Sequence, residues 1–208
     1  MVAHIQTIAF SGVDALPVDV QVHLAPRQNA FNVVGLPDKS VAESRERVRA
    51  ALAAIGLALP YDRITINLSP ADMPKEGSHY DLPIALGLIV AMGGLAQSEV
   101  DGFVVMGELG LDGACIGVPG ALPAAMTAMQ KQMGLVCPAA CGGEAAWSGL
   151  CQPGQAGIVA APHILQAVNH LRGTQILPPP QTEQPQNQPD YPDMADIRGQ
   201  HQSRLALE

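Results

Sequence analysis

The sequence predicts a mixed α/β domain, an α+β sheet with flanking helices, and three consecutive stretches carry that prediction. At 63–68, Ile64, Ile66 and Leu68 alternate with Arg63, Thr65 and Asn67, the period-two pattern of a strand with one buried face. Residues 82–95 are apolar on every side. At about 1.5 Å per residue they are too short to cross a bilayer of roughly 30 Å, so they read as a buried core helix. Between strand and helix runs a loop, 69–80, rich in proline, glycine and charge. The three form one βα unit, with Asp81 expected as the helix N-cap and Pro83 in the first turn, where a missing N–H costs nothing.

Upstream, 5–10 and 18–24 read as strands joined by a turn at 12–14, and the alternation in the second places His23 on its polar, solvated face. A third short strand, 31–34, ends at Gly35 and Pro37. A helix follows, with Ser40 and Glu43 in capping-box spacing, an apolar stripe of Val41, Val48, Leu52 and Ile55, and Gly56 to stop it. Glu43 is expected to pair with Arg47 at i,i+4, while Arg45 and Arg49 share an edge without an acidic partner at that spacing.

Downstream, 103–106 reads as a buried strand and Asp112-Gly113 marks a hairpin. Leu122, Ala125, Met126, Met129 and Met133 repeat at helical spacing with Gly134 as C-cap, a methionine stripe expected in the core. Strands at 135–137 and 158–160 flank a short helix, 143–148, carrying Trp147. Pro162 opens a last helix whose buried side is expected to be Ile164, Leu165, Val168 and Leu171.

Apolar residues make up 48% of the chain and aromatics only 3%, so the core must be built from aliphatic side chains and Met. The net charge of −8 argues against general nucleic-acid binding, because affinity for phosphate rises with each cation contributed. Five of the eleven basic residues lie between Arg27 and Arg49, where any electropositive patch must start. Cys115, Cys137, Cys141 and Cys151 lack framework or zinc spacing, and MVAHIQTIAF lacks the features of a secretory leader. Reduced thiols, no metal, no membrane and a cytoplasmic location are the expectations. Residues 1–172 read as one domain. The composition then changes: 173–192 has six prolines and five glutamines and reads as a linker, semi-extended at about 3.1 Å per residue where prolines cluster. The stretch beyond it, 193–208, is too short to fold alone, so the chain reads as a fragment.

Three stretches, FNVVGLPDKSVAESRERVRAAL, LSPADMPKEGSHYDLPIALG and GELGLDG followed by VPGALPAA, resemble the N-terminal domain of the ComM/YifB group of magnesium-chelatase-like AAA+ ATPases. That resemblance implies a ribosomal S5 domain 2-like fold, akin to the Lon proteolytic domain. Asp193, Asp196, Ile197, Gly199 and Gln200 are similar to the lead-in to a AAA+ phosphate-binding loop, which makes 193–208 the start of a truncated ATPase module. ATP, Mg2+ and a homo-hexameric ring are then expected of that module, with DNA branch migration during transformation as the activity and branched or single-stranded DNA as a partner. The alternatives are a magnesium-chelatase ATPase subunit and a pure protein-interaction module.

Neither hydrolysis is expected of this chain itself. The three lysines, Lys39, Lys75 and Lys131, follow Asp38, Pro74 and Gln130, so none ends a glycine-rich phosphate loop. Lon-type proteolysis needs a serine activated by a lysine amine. The resemblance puts His79, or Ser78 with a slip of one, at the nucleophile position, and Leu122 or its neighbours at the lysine position. No catalytic, cofactor or metal residue is therefore assigned. Two candidate interaction sites remain: Arg45 and Arg49 on the helix edge, facing DNA or another subunit, and Lys75 and His79 on the 69–80 loop. For each pair the competing reading is bland, a solvated helix face and a structural connection with solvated Lys75 and Glu76.

Overall fold

A computed structural model describes residues 2–12, 14–26, 29–152 and 156–182, with the isolated positions 199 and 202. Strands β1 (Val2–Ser11) and β2 (Asp14–Pro26) form a long antiparallel hairpin. Strand β3 (Ala30–Val34) and strand β4 (Asp62–Ser69) pair in parallel, joined by helix α1 (Lys39–Ala54). Helix α2 (Asp81–Ala91) follows the 69–80 loop, and a short helix, α3 (Gln97–Val100), leads to β5 (Phe103–Val105). A small hairpin, β6 (Glu108–Leu109) and β7 (Cys115–Ile116), precedes α4 (Ala121–Gln130), β8 (Gly134–Pro138), α5 (Gly142–Ala146), β9 (Ile158–Ala161) and α6 (Ile164–Leu171).

The main sheet has seven strands in the order β3-β4-β2-β1-β5-β8-β9. Its pairings are parallel except for β2 with its two neighbours. The mixed α/β class expected from the sequence is the class observed. Helices cover the two halves unequally. On β4, Ile64, Ile66 and Leu68 face the core with α1 and α2, while the alternate residues stay partly open. On β8 every residue is buried: Val136 packs with the α1/α2 core, and Leu135 and Cys137 pack with the second core under α4. The open face of the first half carries a polar ladder, His4 and Gln21 to Asp19 and Asn67 to Gln21, of the cross-strand kind that stabilises sheets. His23 lies exposed on β2, as its alternation predicts.

Five local expectations are corrected. The cap of α1 is Asp38, whose Oδ1 accepts the Val41 N–H at 2.7 Å, rather than Ser40. Asp81 does not cap α2; it is the first helical residue, and its carboxylate points elsewhere. The core face of α4 is Ala121, Ala124, Ala125 and Ala128, with Met126 47% exposed, because small side chains let the helix lie close to the sheet. Its C-cap is Lys131, and Gly134 already belongs to β8. On α6 the buried residues are Ile164, Ala167 and Val168, while Leu165 is exposed.

After α6 the chain folds back rather than leaving at once. The Leu177 N–H donates to His170 Nδ1 at 2.9 Å, Leu177 packs on the core, and Leu177 and Pro179 line a hollow with Ile158 and Val159 of β9. Apart from 199 and 202, the expected linker beyond 182 and the 193–208 segment lie outside the described residues. Among the described residues no helix is long and apolar enough to cross a membrane.

Gly35 sets the exit of β3. Its φ is +103°, and a Cβ there would stand 2.2 Å from the Leu68 carbonyl oxygen. Both strain and clash oppose any side chain. Gly35→Ala is expected to lower the unfolding free energy by about 2 kcal/mol or more. Urea denaturation with an unchanged midpoint would count against this packing.

Candidate functional site

The 69–80 loop, the start of α1 and the β6–β7 hairpin meet around one ion pair. Arg47 reaches from α1 to Asp81, with Nε to Oδ2 at 2.5 Å and Nη2 to Oδ1 at 3.0 Å. The forked guanidinium matches the carboxylate with two parallel bonds. Asp81 is wholly buried, and its Oδ2 also accepts the Leu109 N–H at 3.2 Å. Arg47 further donates to the Ser40 carbonyl and Ser44 Oγ, and the carboxylate beside it pushes its pKa up, against the opposing effect of burial. The expected Glu43–Arg47 pair does not form; Glu43 lies 3.8 Å from Lys39 instead.

The loop is fixed along its length. Backbone bonds join Asp38 N–H to the Lys75 carbonyl at 2.9 Å and Lys75 N–H to the Leu36 carbonyl at 3.1 Å. Lys75 is not solvated: its side chain is fully buried, and its ammonium donates to the Pro70 and Met73 carbonyls, so it holds the loop's own turn together. Burial pushes its pKa down. His79 is buried too, with Nε2 against the Ile8 carbonyl at 2.9 Å and its ring packed on Phe10 and Tyr80. Burial lowers its pKa, favouring the neutral ring. Neither residue reaches the surface contact for which the sequence singled it out. Ser78 Oγ bonds to Glu108, not to Lys75, so the geometry holds no serine–lysine pair in this loop. The Tyr80 hydroxyl is buried without a hydrogen-bond partner among the described residues, and burial raises its pKa.

Arg45 and Arg49 stay outside, one turn apart on the exposed edge of α1. Arg45 contacts Glu46 at 2.9 Å, with both side chains largely in solvent, and together with Arg63 it lines a groove of about 400 Å³ over the free edge of β3. Phe31, Asn32, Val33, Val34, Ala42 and Thr65 complete that groove. Arg49 lines a smaller hollow of about 130 Å³ with Asn29, Leu59, Pro60, Tyr61 and Ile64. Among the described residues Arg49 has no ion-pair partner. Tyr61 is 75% exposed beside it.

Sequence reasoning missed the Arg47–Asp81 pair and the Ser78–Glu108 bond, and Tyr61 altogether. The Arg47–Asp81 pair spans 34 residues, so no local spacing announces it. An acidic residue opening an otherwise apolar helix was the available signal for Asp81. Among the described residues no three His, Cys, Asp or Glu side chains are placed to hold a metal. The four cysteines are free thiols, and burial pushes Cys115 up to about 12 and Cys137 higher still, away from reactivity.

The family model for subunit ChlI of Mg-chelatase matches residues 20–141. The chain is 36% identical over 206 residues to the YifB protein of Salmonella typhimurium, covering 99% of this chain and 40% of that protein. It is 43% identical over 128 residues to competence protein ComM of Haemophilus influenzae, covering 62% of this chain and 25% of that protein. The chain belongs to the Mg-chelatase subunit ChlI family, as a domain of the ComM/YifB type. It spans two-fifths or less of the length of these two relatives.

Removing one partner of a buried pair leaves an uncompensated charge, which typically costs about 3–5 kcal/mol. Asp81 is wholly buried, so Arg47→Met, which strands its carboxylate, should cost about 3–5 kcal/mol, whereas Asp81→Ala leaves an arginine partly open to water and should cost less, about 2–3 kcal/mol, part of it from the unpaired Leu109 N–H. A double-mutant cycle should show strong coupling; additive losses would mean the pair is incidental. His79 gives a pH signature. Its native pKa lies below the ordinary value of about 6.5, so its contribution is fully present above that pH and is lost as pH falls through the native value. Stability measured from pH 7.5 down to 5 should fall less steeply in His79→Gln; identical slopes would remove His79 from the titration.

Proposed function

We propose that this chain is a non-catalytic N-terminal accessory domain of a magnesium-chelatase-like AAA+ ATPase, and that it presents the α1 edge to DNA. The family membership supports the motor assignment, and the ComM relative, named a competence protein, supports DNA handling. In this reading ATP and Mg2+ bind the ATPase module that follows, six copies form the working ring, and the motor drives branch migration. The domain adds grip on the nucleic acid without turning over nucleotide or peptide. The two grooves lined by Arg45 and Arg49 carry no His, Cys or Met to ligate the metal of a porphyrin, so they lend magnesium insertion no support.

One observation carries the proposal. Arg47 is spent on Asp81 inside the fold, while Arg45 and Arg49 project outward from the same helix, with Arg63 across the β3 edge. Their acidic neighbours Glu43 and Glu46 keep the patch weak, which suits a contact that assists a motor rather than anchors it.

In the intact parent protein, Arg45→Ala/Arg49→Ala is expected to weaken binding of branched DNA about tenfold at low salt. The dependence of log K on log salt should flatten by about two, one phosphate contact per arginine. Full affinity with an unchanged slope would turn the edge over to a protein partner.

A further inference from the structure

We infer that the hollow between Tyr61 and Arg49 seats a single unpaired nucleobase. This deepens the proposed DNA contact and rests on it. Tyr61 lies on the segment that joins α1 to β4, and that segment is rigid on either side of it. The Leu57 N–H bonds to the Leu52 carbonyl at 2.9 Å, and Leu57 and Leu59 pack on the core. Pro60 fixes the backbone just before the ring, and Asp62 opens β4 just after it. The ring itself is 75% exposed, so core packing does not account for it.

What surrounds the ring is a set of groups suited to a flat, polar-edged aromatic. Leu59, Pro60 and Ile64 give the hollow apolar lining, and Arg49 and Asn29 give it polar lining. A base stacked on Tyr61 would meet the Arg49 guanidinium either over its face or through its phosphate, and the Asn29 amide offers both a donor and an acceptor to its edge. The volume of about 130 Å³ has room for one ring system and not for a base pair. Duplex DNA keeps its base faces stacked on each other, so only a single strand can fill the hollow, and the duplex is left with the phosphate contacts of Arg45 and Arg49 alone. The arrangement therefore discriminates strand state, not sequence.

The test compares Tyr61→Ala and Tyr61→Trp with the unaltered intact parent protein, using fluorescein-labelled oligo(dT) and a matched duplex at fixed salt. Tyr61→Ala is expected to weaken oligo(dT) binding between about fivefold and a hundredfold and to leave duplex binding unchanged. Tyr61→Trp should restore single-strand affinity, and its added indole fluorescence should quench on binding. Unchanged oligo(dT) affinity in Tyr61→Ala, or equal losses on both substrates, overturns the base seat. Should the Arg45→Ala/Arg49→Ala variant still lose duplex binding in either case, the broader reading stands without it. No DNA affinity in the unaltered protein would sink both.

Discussion

A carboxylate at the start of the most apolar helix governs how this domain is put together. Every residue of α2 from Asp81 to Val90 is buried, so the Asp81 charge enters a region where an isolated ion would be prohibitively costly. Only a bidentate arginine and a backbone N–H make that position tenable, and they come from α1 and from β6. The same three bonds thereby fix the spacing of α1 to α2 and dock the small hairpin against both. Because Asp81 also ends the 69–80 loop, that loop inherits the constraint. Its other contacts, Asp38 with Lys75 and with Gly77, hold it to the entry of α1. Its side chains Lys75, His79 and Tyr80 turn into the core, while Pro70, Ala71, Asp72, Pro74 and Glu76 stay on the surface.

This explains what was legible in the sequence and what was not. The periodicities of β2 and β4 survive because one face of each strand is largely open to water, so alternation maps directly onto burial. Helix α2 is legible for the opposite reason, since it is buried all round. Where two signals competed, the tertiary partner decided. Asp38 and Ser40 are both good caps, and Asp38 prevails while its second oxygen also reaches the Gly77 N–H at 3.4 Å. On α4, methionines and alanines both recur at helical spacing. The alanines turn inward because Thr127 on the same helix bonds the Ala15 carbonyl of β2, which requires close approach. Lys75 and His79 looked like surface polar residues because sequence cannot show that backbone carbonyls of Pro70, Met73 and Ile8 would satisfy them. Arg45 and Arg49 were legible as an edge. Tyr61 was not, since a lone aromatic in a loop has no period.

The sheet also distributes roles across its width. Strands β5, β8 and β9 belong to the half with helices on both faces, as does the end of β1 at residues 7–9, while β3, β4, β2 and the start of β1 leave one face polar and one edge open. Edge strands are usually protected by charge or brevity, and β3 has both: five residues, with Arg45 and Arg63 beside it. In the proposed reading, the cations that guard the edge against pairing are also the ones offered to DNA, so protection and binding need not be separate features.

The segment after α6 lies against β9, at the opposite margin of the same sheet. Six interstrand steps at about 4.8 Å place the two margins roughly 29 Å apart. In the proposed reading, a module attached beyond 182 is therefore tethered at the margin away from Arg45, Arg49 and Tyr61. The sheet is rigidly cored over that span, with β2 and β1 at its centre packed by Val20, Val22 and Ile5 against α2. On that reading, a force on DNA at one margin would reach the tether as displacement of a single body, and the domain would hold DNA away from the ATPase ring instead of hiding its binding face against it.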